Sequence, residues 1–316
     1  KKQSKRRFGK EPKISIVIPL YKTPENYLRE LVDSIKAQTY SNWELCLSDG
    51  SGKKSPILKL LKDLESSDAR IKVVYNNEQL QISENTNRAI ESATGDYIGF
   101  ADHDDLLTPN ALYECVRVLN KHPGIRAIYS DEDKVSMDGR KHFQPHFKPD
   151  FNKDLLNSTN YFCHLFVVEK AIVDKVGALN SEFDGAQDYD FVLRCSEETE
   201  NIYHIPKILY HWRAHEDSTA ENPESKMYAF EAGARAIKAH YDRIGWENTE
   251  VTQTECLGVY RTYYTLKEEP LVSIIIPNKD HIDDLKKCLK SIERCSYKNY
   301  EIIIVENNST EKETFE

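Results

Sequence analysis

Short apolar runs alternate with longer amphipathic stretches over the first 130 residues of the chain. The runs are apolar throughout rather than at every second position, which is typical of strands covered on both faces. The stretches between them contain helix-boundary residues, such as Pro24 near the start of one stretch and Gly124 past the end of another. The pattern predicts an α/β protein with an open, mostly parallel sheet flanked by helices. We predict strands at 14–18, 44–48, 71–75, 97–101 and 125–130, and helices at 25–38, 84–94 and 109–121.

From residue 140 to 270 the elements become shorter. We predict a strand at 164–170, a helix at 188–198, strands at 202–205 and 208–212, and a helix at 223–244 with Asn222 as its cap. In open α/β sheets, ligands bind beyond the carboxyl ends of the strands. The segments that come after the first four predicted strands are polar. We therefore expect the functional site among these segments.

One segment of the chain is repeated. Residues 14–51 are echoed at 272–309, with a strand, a proline, a helix and a second strand in the same order. The second copy has no counterpart of the acidic segment that comes after the fourth strand, so we expect one active site in this chain. Either the native chain continues into a second domain, or the tail is a vestigial strand and helix. We predict a basic arm or linker at 1–12, a complete domain at 13–265 and a partial repeat at 266–316.

Composition excludes several classes of function. The 316 residues have a net charge of −9, so the chain has no basic signature for nucleic acid. The only basic block is the first ten residues, which we expect to form a mobile arm or tether, with phospholipid or RNA binding as the alternative. The seven cysteines include no Cys-x-x-Cys pair, which argues against a zinc ribbon. No apolar run approaches the roughly 18 residues that span a bilayer, and we expect a cytoplasmic location, free or at the inner face of the membrane.

The segment DHDD at 102–105 comes directly after the fourth predicted strand. Alternate positions of an extended chain place the carboxylates of Asp102 and Asp104 on one side while His103 points away, and we expect Asp105 to cap the next element of the chain. Two carboxylates suit Mg²⁺ or Mn²⁺, which keep open positions for phosphate oxygens or water. The alternative is a solvated acidic turn, which is the commoner outcome for an isolated Asp-x-Asp.

A second cluster, SDEDK at 130–134, has the same acid spacing. Asp131 and Asp133 also come after a predicted strand. The cluster is a rival cation site, or a solvated turn that Lys134 partly neutralises.

The order of five motifs resembles family 2 glycosyltransferases, which have the nucleotide-sugar-binding fold called GT-A. The resemblance covers about residues 13 to 245, and the joint order is specific where each motif alone is not. The segment that runs from YSDEDKV through FKPD to IPKILYHWR is similar to a bacterial branch that builds cell-surface polysaccharides and decorates surface proteins, often with tandem transferase domains. A tandem arrangement would explain the repeat. The five motifs are SIVIPLYK, YSNWELCLSDGS, ENTNRAIESATGDYIGFADHDD, GAQDYDFVLRCSE and YHWRAHEDS.

The resemblance implies that residues at the strand ends bind the donor. Pro19 and Tyr21 would shape the loop beside the nucleotide base, and Asp49 would accept hydrogen bonds from the base or ribose. The family's Asp-Asp-Gly-Ser is shortened here, which leaves base specificity open. Arg88 at a helix start and Arg213 would face the diphosphate. The alternative for Arg213 is a surface ion pair with Glu216 or Asp217.

The metal ligands that the resemblance implies are two aspartates and a histidine. Asp102 would lie near the ribose, and Asp104 would lie closest to a Mn²⁺ or Mg²⁺ ion that bridges the diphosphate. The histidine is His211, with His215 as the alternative.

Asp188 matches the family's catalytic base, although the glutamate that usually precedes it is here Gln187. An inverting transfer needs one base to take the proton from the acceptor hydroxyl. Asp190 lies two residues further along the same predicted helix and faces elsewhere, so we expect a structural role for it. The resemblance places His164 and Trp212 on the acceptor side.

Together these features predict an inverting, metal-dependent glycosyltransferase that moves a sugar from a nucleotide-sugar, a UDP-sugar foremost, to a glycan or glycoprotein acceptor. A homo-oligomer or a multi-enzyme glycosylation assembly is compatible with this role. The alternative is a catalytically silent module that binds glycan or acts as a scaffold. A nucleotidyltransferase would need a glycine- and lysine-rich phosphate loop after the first strand, and PLYKTPEN is no such loop.

Overall fold

Strand β1 (Ile14–Leu20) lies within a sheet formed largely by the predicted apolar runs. The computed structural model describes residues 2–214 and 227–316. Strands β3, β2, β1 and β4 are neighbours in that order and run parallel, so their carboxyl ends meet at one edge of the sheet. The other strands of this sheet are β2 (Trp43–Asp49), β3 (Ile71–Tyr75), β4 (Tyr97–Phe100), β5 (Leu106–Leu107), β6 (Ala127–Val135), β7 (His142–His146), β8 (Phe166–Glu169) and β9 (Ile202–Arg213).

The second half of the sheet is mixed. Strand β8 lies antiparallel between β4 and β6, while β6 and β9 are parallel. Strands β5 and β7 add antiparallel pairs with β9 and β6. The predicted α/β class is confirmed. Because β8 runs against β4, with Phe166 opposite Phe100, residues just before β8 lie beside residues just after β4.

Helices cover both faces of this sheet. Along β1, Ile16 and Ile18 pack in one hydrophobic cluster with residues of helices α1 (Glu25–Lys36), α2 (Leu58–Ser67) and α4 (Ala111–Lys121). Val17 packs in a second cluster, on the other face, with residues of α3 (Ile82–Ser92), α7 (Gln187–Glu198) and α8 (Met227–Arg243). Every residue of β1 is buried, which explains its continuous apolar run. The predicted cap Asn222 lies outside the described residues. Two further helices are α5 (Lys153–Leu156) and α6 (Lys170–Val176).

Several strand bounds differ from the prediction, and the differences at β4 and β6 change the candidate sites. Strand β4 ends at Phe100, so DHDD is a turn rather than the end of a strand. Strand β6 continues to Val135, so SDEDK lies inside a strand. The two strands predicted at 202–205 and 208–212 are one strand, β9, because its pairing with β6 continues past a shift in register.

The chain divides into two compact units, one up to Tyr263 and one from Tyr264 onwards. A two-stranded sheet of β10 (Thr249–Gln253) and β11 (Tyr260–Tyr264) comes at the end of the first unit, and the division falls at the last residue of β11. The second unit has β12 (Val272–Asn278), α9 (Ile282–Glu293) and β13 (Tyr300–Glu306), with β12 and β13 parallel.

The two copies of the repeat share hydrogen bonds as well as sequence. Ser15 Oγ donates to Glu44 Oε1 at 2.6 Å, and Ser273 Oγ donates to Glu301 Oε1 at 2.6 Å. The strand pairs also have the same register, since Leu20 lies opposite Asp49 in one copy and Asn278 lies opposite Glu306 in the other.

The basic N-terminal segment packs on the first unit. The Phe8 ring lies 5.3 Å from the Tyr113 ring, centroid to centroid, and Arg6 donates to the Tyr113 hydroxyl at 3.1 Å. Phe8 and Arg6 thus anchor a segment whose basic composition suggests a mobile arm. Within the described residues, the helices are all too short or too polar to cross a membrane.

Candidate functional site

A cavity opens beyond the carboxyl ends of β1 and β4. Its floor is apolar and includes Val17, Phe100 and Phe191. The predicted site residues Pro19, Asp102 and Asp188 all line it, as do His164 and Gln187. The sheet topology explains the assembly, because Pro19 lies near the end of β1, Asp102 comes just after β4, and Asp188 lies in the first turn of α7.

The DHDD turn is anchored by Asp105 rather than by a helix cap. The Asp105 side chain is fully buried and accepts hydrogen bonds from the Tyr210 hydroxyl at 2.6 Å and from the Arg213 backbone N–H at 2.7 Å. The Tyr210 hydroxyl in turn accepts from the Asp102 backbone N–H at 3.0 Å. Burial raises the pKa of Asp105 well above its ordinary value, with Asp104 and Asp102 adding to the shift. The expected capping role of Asp105 is therefore wrong, because its carboxyl fastens the turn to β9.

Asp102 and Asp104 occupy different positions on this turn. The Asp102 side chain is 46% exposed and lines the cavity. Asp104 is half-buried, and its backbone carbonyl accepts from Arg213 Nε at 2.6 Å. The argument from strand alternation does not apply, because the strand ends before either residue. Their binding of a cation stays a prediction.

His164 is the neighbour of Asp102 across the cavity wall. Its Nε2 lies 3.3 Å from Asp102 Oδ2, and its ring stacks on Tyr210 with centroids 4.7 Å apart. Burial lowers the pKa of His164, but the nearby carboxylates, Asp102 first, outweigh burial and raise the pKa to about 9. A protonated imidazole therefore lies beside the carboxylate at the mouth of the cavity. The sequence placed His164 on the acceptor side and gave no signal for its contact with Asp102.

Asp188 points into the cavity from α7. Its Oδ2 accepts a hydrogen bond from Asn160 Nδ2 at 2.9 Å. Burial raises the pKa of the Asp188 carboxyl, and the charge of His164 offsets part of that rise. A raised pKa makes the carboxylate a stronger base. Asp190 is buried and forms an ion pair with Arg194 at 2.8 Å, which agrees with a structural role.

Three other predicted donor-binding residues lie outside the cavity lining. Asp49, at the end of β2, is buried and accepts from the Ser51 backbone N–H at 3.0 Å. Tyr21 is exposed two residues beyond Pro19. Arg88 forms an exposed ion pair with Glu91 on α3. Their roles toward a nucleotide stay predictions.

Arg213 is directed into the protein. Its side chain is fully buried and donates to the carbonyls of Asp104 and Met137 and to Glu30 Oε2, each at 2.6 Å. The guanidinium also lies 4.6 Å from the centre of the Tyr27 ring. These bonds favour a role in holding the DHDD turn over direct contact with phosphate. The alternative ion-pair partners Glu216 and Asp217, and the alternative metal ligand His215, lie outside the described residues.

The SDEDK cluster is a network of acids paired with histidines. Because it lies inside β6, the alternative of a solvated turn is wrong. Asp131 Oδ1 is 2.8 Å from His204 Nε2, and Glu132 Oε1 is 3.1 Å from His146 Nδ1. The predicted metal ligand His211 also belongs here, since its Nδ1 lies 2.5 Å from Asp133 Oδ1.

A buried lysine joins this network to the cavity. Lys148 Nζ lies 3.2 Å from Glu132 Oε2 and donates to the His164 carbonyl at 2.6 Å. Glu132 Oε2 also accepts from the His164 backbone N–H at 3.1 Å. The network therefore holds the backbone of the residue whose side chain contacts Asp102. No pattern in the sequence indicated these contacts, because the partners come from separate segments.

The chain is similar in sequence to a known protein family and to several longer proteins. The family model "Glycosyl transferase family 2" matches residues 15–177 and 273–314. An uncharacterized protein, y4gI, of Sinorhizobium fredii is 42% identical over 314 residues, which are 98% of this chain and 34% of the relative. The O-antigen biosynthesis protein RfbC of Myxococcus xanthus is 36% identical over 310 residues, which are 98% of this chain and 24% of the relative. The chain thus spans about a third and a quarter of the length of these two relatives.

Solved structures show the same fold. Residues 1–349 of S. aureus TarS in complex with UDP-GlcNAc match with a TM-score of 0.55 at 17% identity, over 73% of each chain. The mannosyltransferase PcManGT from Pyrobaculum calidifontis, in complex with GDP-Man and Mn²⁺, matches with a TM-score of 0.53 at 15% identity, over 77% of this chain and 68% of that one. At these identities the likeness extends to the fold alone.

Proposed function

The chain belongs to glycosyl transferase family 2, and on that premise we propose that its first unit is an inverting, metal-dependent transferase with the GT-A fold. It moves a sugar from a nucleotide-sugar, a UDP-sugar foremost, to a hydroxyl of a glycan or glycoprotein acceptor. The observation that most supports this proposal is the cavity that Asp102, His164 and Asp188 line together. A carboxylate for the donor side and a carboxylate base are the two groups that such a transfer requires.

The donor side of the proposal rests on the turn after β4. Asp102 is half-exposed at the cavity, Asp104 lies two residues further along the same turn, and carboxylate oxygens are the ligands that Mg²⁺ and Mn²⁺ prefer. The residues present therefore fit an oxygen-preferring cation. When bound, such an ion supplies Lewis-acid stabilisation of the negative charge on the departing nucleoside diphosphate. We propose that Asp102 and Asp104 hold it, and that Asp49, at the end of β2, contacts the nucleoside.

The acceptor side rests on Asp188. The carboxylate takes the proton of the acceptor hydroxyl as the hydroxyl oxygen forms a bond to the anomeric carbon, and the bond from that carbon to the diphosphate oxygen breaks. The hydrogen bond from Asn160 to Oδ2 orients this carboxylate in the cavity. The apolar floor formed by Phe100 and Phe191 excludes water that would compete with the acceptor.

The relatives give a setting for this activity. RfbC is described as an O-antigen biosynthesis protein, which supports a role in the assembly of cell-surface glycan. We propose that the transfer takes place on the cytoplasmic side of the membrane, where nucleotide-sugars are made. The identity of the sugar and of the acceptor depends on loops that differ among members of one fold.

The test is a donor screen on the full chain. The protein is incubated with UDP-, dTDP- and GDP-sugars and with Mn²⁺ or Mg²⁺, and products are identified by mass and by the anomeric NMR signal. We expect one nucleotide class to raise the melting temperature and to support transfer or slow donor hydrolysis. Asp188→Asn is expected to keep the thermal shift and to lose about 100-fold or more in turnover.

The matched control is Asp174→Asn. Asp174 is an exposed aspartate on α6 whose side chain pairs with Lys170, so this variant is expected to keep wild-type turnover. A thermal shift with no product for any donor would favour the silent glycan-binding module. No shift with any nucleotide-sugar would overturn the proposal.

A further inference from the structure

Asp133 on β6 lies between two histidines from neighbouring strands. His142 Nδ1, on β7, is 3.1 Å from Asp133 Oδ2, and His211 Nδ1, on β9, is 2.5 Å from Asp133 Oδ1. The two imidazole rings meet edge to face, with centroids 4.4 Å apart and planes at 68°. Asp133, His142 and His211 each offer one atom that can bind a metal, a carboxylate oxygen or a ring nitrogen, and these three atoms lie within 4.8 Å of one another. Three side chains of metal-binding type thus converge on one point.

We propose that Asp133, His142 and His211 bind a divalent transition-metal ion, with Zn²⁺ the best match, at a site distinct from the one at Asp102 and Asp104. Zinc takes ligand nitrogens and oxygens at about 2.0 to 2.2 Å, which requires ligand atoms roughly 3.5 Å apart in a tetrahedral site. The three ligand atoms lie within 4.8 Å of one another, so the side chains would have to move closer to reach this spacing. The proposal rests on this geometry and does not depend on the transferase function.

Ligand chemistry separates the two sites. Asp102 and Asp104 offer carboxylate oxygens, which suit Mg²⁺ and Mn²⁺, whereas two imidazoles and one carboxylate suit Zn²⁺, Fe²⁺ or Co²⁺. A metal ion at the second site would replace the hydrogen that each histidine now shares with Asp133. The metal would thus neutralise a carboxylate that is nearly buried, with its side chain 9% exposed.

The neighbouring acids of β6 differ from Asp133 in their partners. Glu132 contacts one histidine and the ammonium group of Lys148, which already supplies a fixed positive charge. Asp131 contacts His204 and accepts from the Lys148 backbone N–H at 2.9 Å. Asp133 is the acid at which two imidazoles meet.

Access and consequence both depend on the strands involved. The His142 side chain is 45% exposed, which gives an ion a path to the site and leaves room for a water ligand. A bound metal would tie β7 to β9, and β9 ends at Arg213, which holds the Asp104 carbonyl. The metal would therefore stabilise the part of the sheet that supports the DHDD turn.

The test is metal binding to the untagged full chain after treatment with a chelator. Zn²⁺ is titrated by calorimetry, and Co²⁺ by its visible absorption, without nucleotide. We expect micromolar or tighter binding of one ion, with a Co²⁺ spectrum of nitrogen and oxygen ligands that lacks a thiolate charge-transfer band. His142→Ala is expected to lower the Zn²⁺ affinity at least about tenfold and to remove the zinc-induced rise in melting temperature.

The matched control is His146→Ala. His146 lies on the same strand and contacts an acid through Nδ1 at the same distance of 3.1 Å, but it is outside the cluster. His146→Ala and Asp104→Asn are both expected to keep the wild-type Zn²⁺ affinity. Equal affinities for His142→Ala and the wild type would overturn the proposal, and so would equal losses in the two histidine variants. A loss of Zn²⁺ affinity in Asp104→Asn would assign the ion to the site at Asp102 and Asp104 instead.

Discussion

The two Asp-x-Asp clusters have the same spacing and opposite environments. Asp102 and Asp104 lie in a turn beyond β4, where the Asp102 carboxylate is 46% exposed at a cavity. Asp131 and Asp133 lie inside β6, where their side chains are 3% and 9% exposed and contact histidines. The difference comes from where the strand ends, because a strand that continues buries its acids against neighbouring strands. Spacing alone therefore does not assign a nucleotide site.

The two clusters nevertheless meet at one residue. The backbone of His164 is held by Glu132 and Lys148, and its imidazole lies against Asp102. The buried cluster thus acts as a frame for the exposed one. This division predicts that changes in the exposed cluster affect catalysis, whereas changes in the buried cluster affect mainly stability.

The largest expected effect separates Asp104→Asn from Asp131→Asn. Loss of a cation ligand at the donor side is expected to lower kcat/KM about 100-fold or more. Asp131→Asn breaks a buried contact with His204 and is expected to lower the free energy of unfolding by about 1 to 3 kcal/mol while folded molecules keep most of their activity. Transfer or donor hydrolysis and urea unfolding are measured on both variants. Similar losses of activity in the two would contradict the division.

A smaller effect is expected where the clusters meet. His164→Gln keeps a hydrogen-bond donor near Asp102 but removes the charged imidazole and its stacking on Tyr210. We expect kcat/KM to fall about 10- to 100-fold, as for partners that orient a metal ligand. His146→Gln, which alters a histidine of the buried cluster, serves as the control and is expected to stay within about threefold of the wild type. The idea fails if the two variants have equal activity.

The smallest effect is a separation in pH. Burial raises the pKa of Asp188, so activity is expected to fall as pH falls through that raised pKa, because the base becomes protonated. The pKa of Glu132 is lowered: burial would raise it, but His146, Lys148 and His164 outweigh burial. The stability that Glu132 contributes is present above its unfolded-state pKa and is lost only as pH falls through the lowered folded-state pKa. Activity should therefore be lost at a higher pH than the fold.

This separation is measured by kcat and circular dichroism over the same acidic pH series. Asn160→Ala removes the hydrogen bond that favours ionised Asp188 and is expected to shift the loss of activity to higher pH. Coincident loss of activity and structure in the wild type would contradict the expected separation.

Local patterns in the sequence predicted the fold class and part of the candidate site. The continuous apolar runs gave the strands, and the order of motifs placed Pro19, Asp102 and Asp188 in the segments that converge on one cavity. The repeat was also visible, and the shared bonds from Ser15 to Glu44 and from Ser273 to Glu301 show that each copy encodes its own local geometry.

Contacts between distant segments could not be predicted. The burial of Arg213 depends on Glu30, 183 residues away, and the contact of His164 with Asp102 depends on β8 running against β4. The end of β4 at Phe100 was missed because the apolar run continues through Ala101, whereas the pairing of β4 with β8 stops at Phe100, opposite Phe166. Sequence patterns show which residues are buried, whereas the choice of partner depends on the topology of the sheet.

The most direct test of the donor site is calorimetric titration of the full chain with UDP, with and without Mn²⁺. The wild type is expected to bind UDP tightly only in the presence of Mn²⁺. Asp104→Asn is expected to lose the Mn²⁺-dependent part of the UDP affinity, whereas Asp188→Asn is expected to keep the wild-type UDP affinity with Mn²⁺. Metal-independent binding that is unchanged in Asp104→Asn would contradict the assignment of the cation and the diphosphate to the turn after β4.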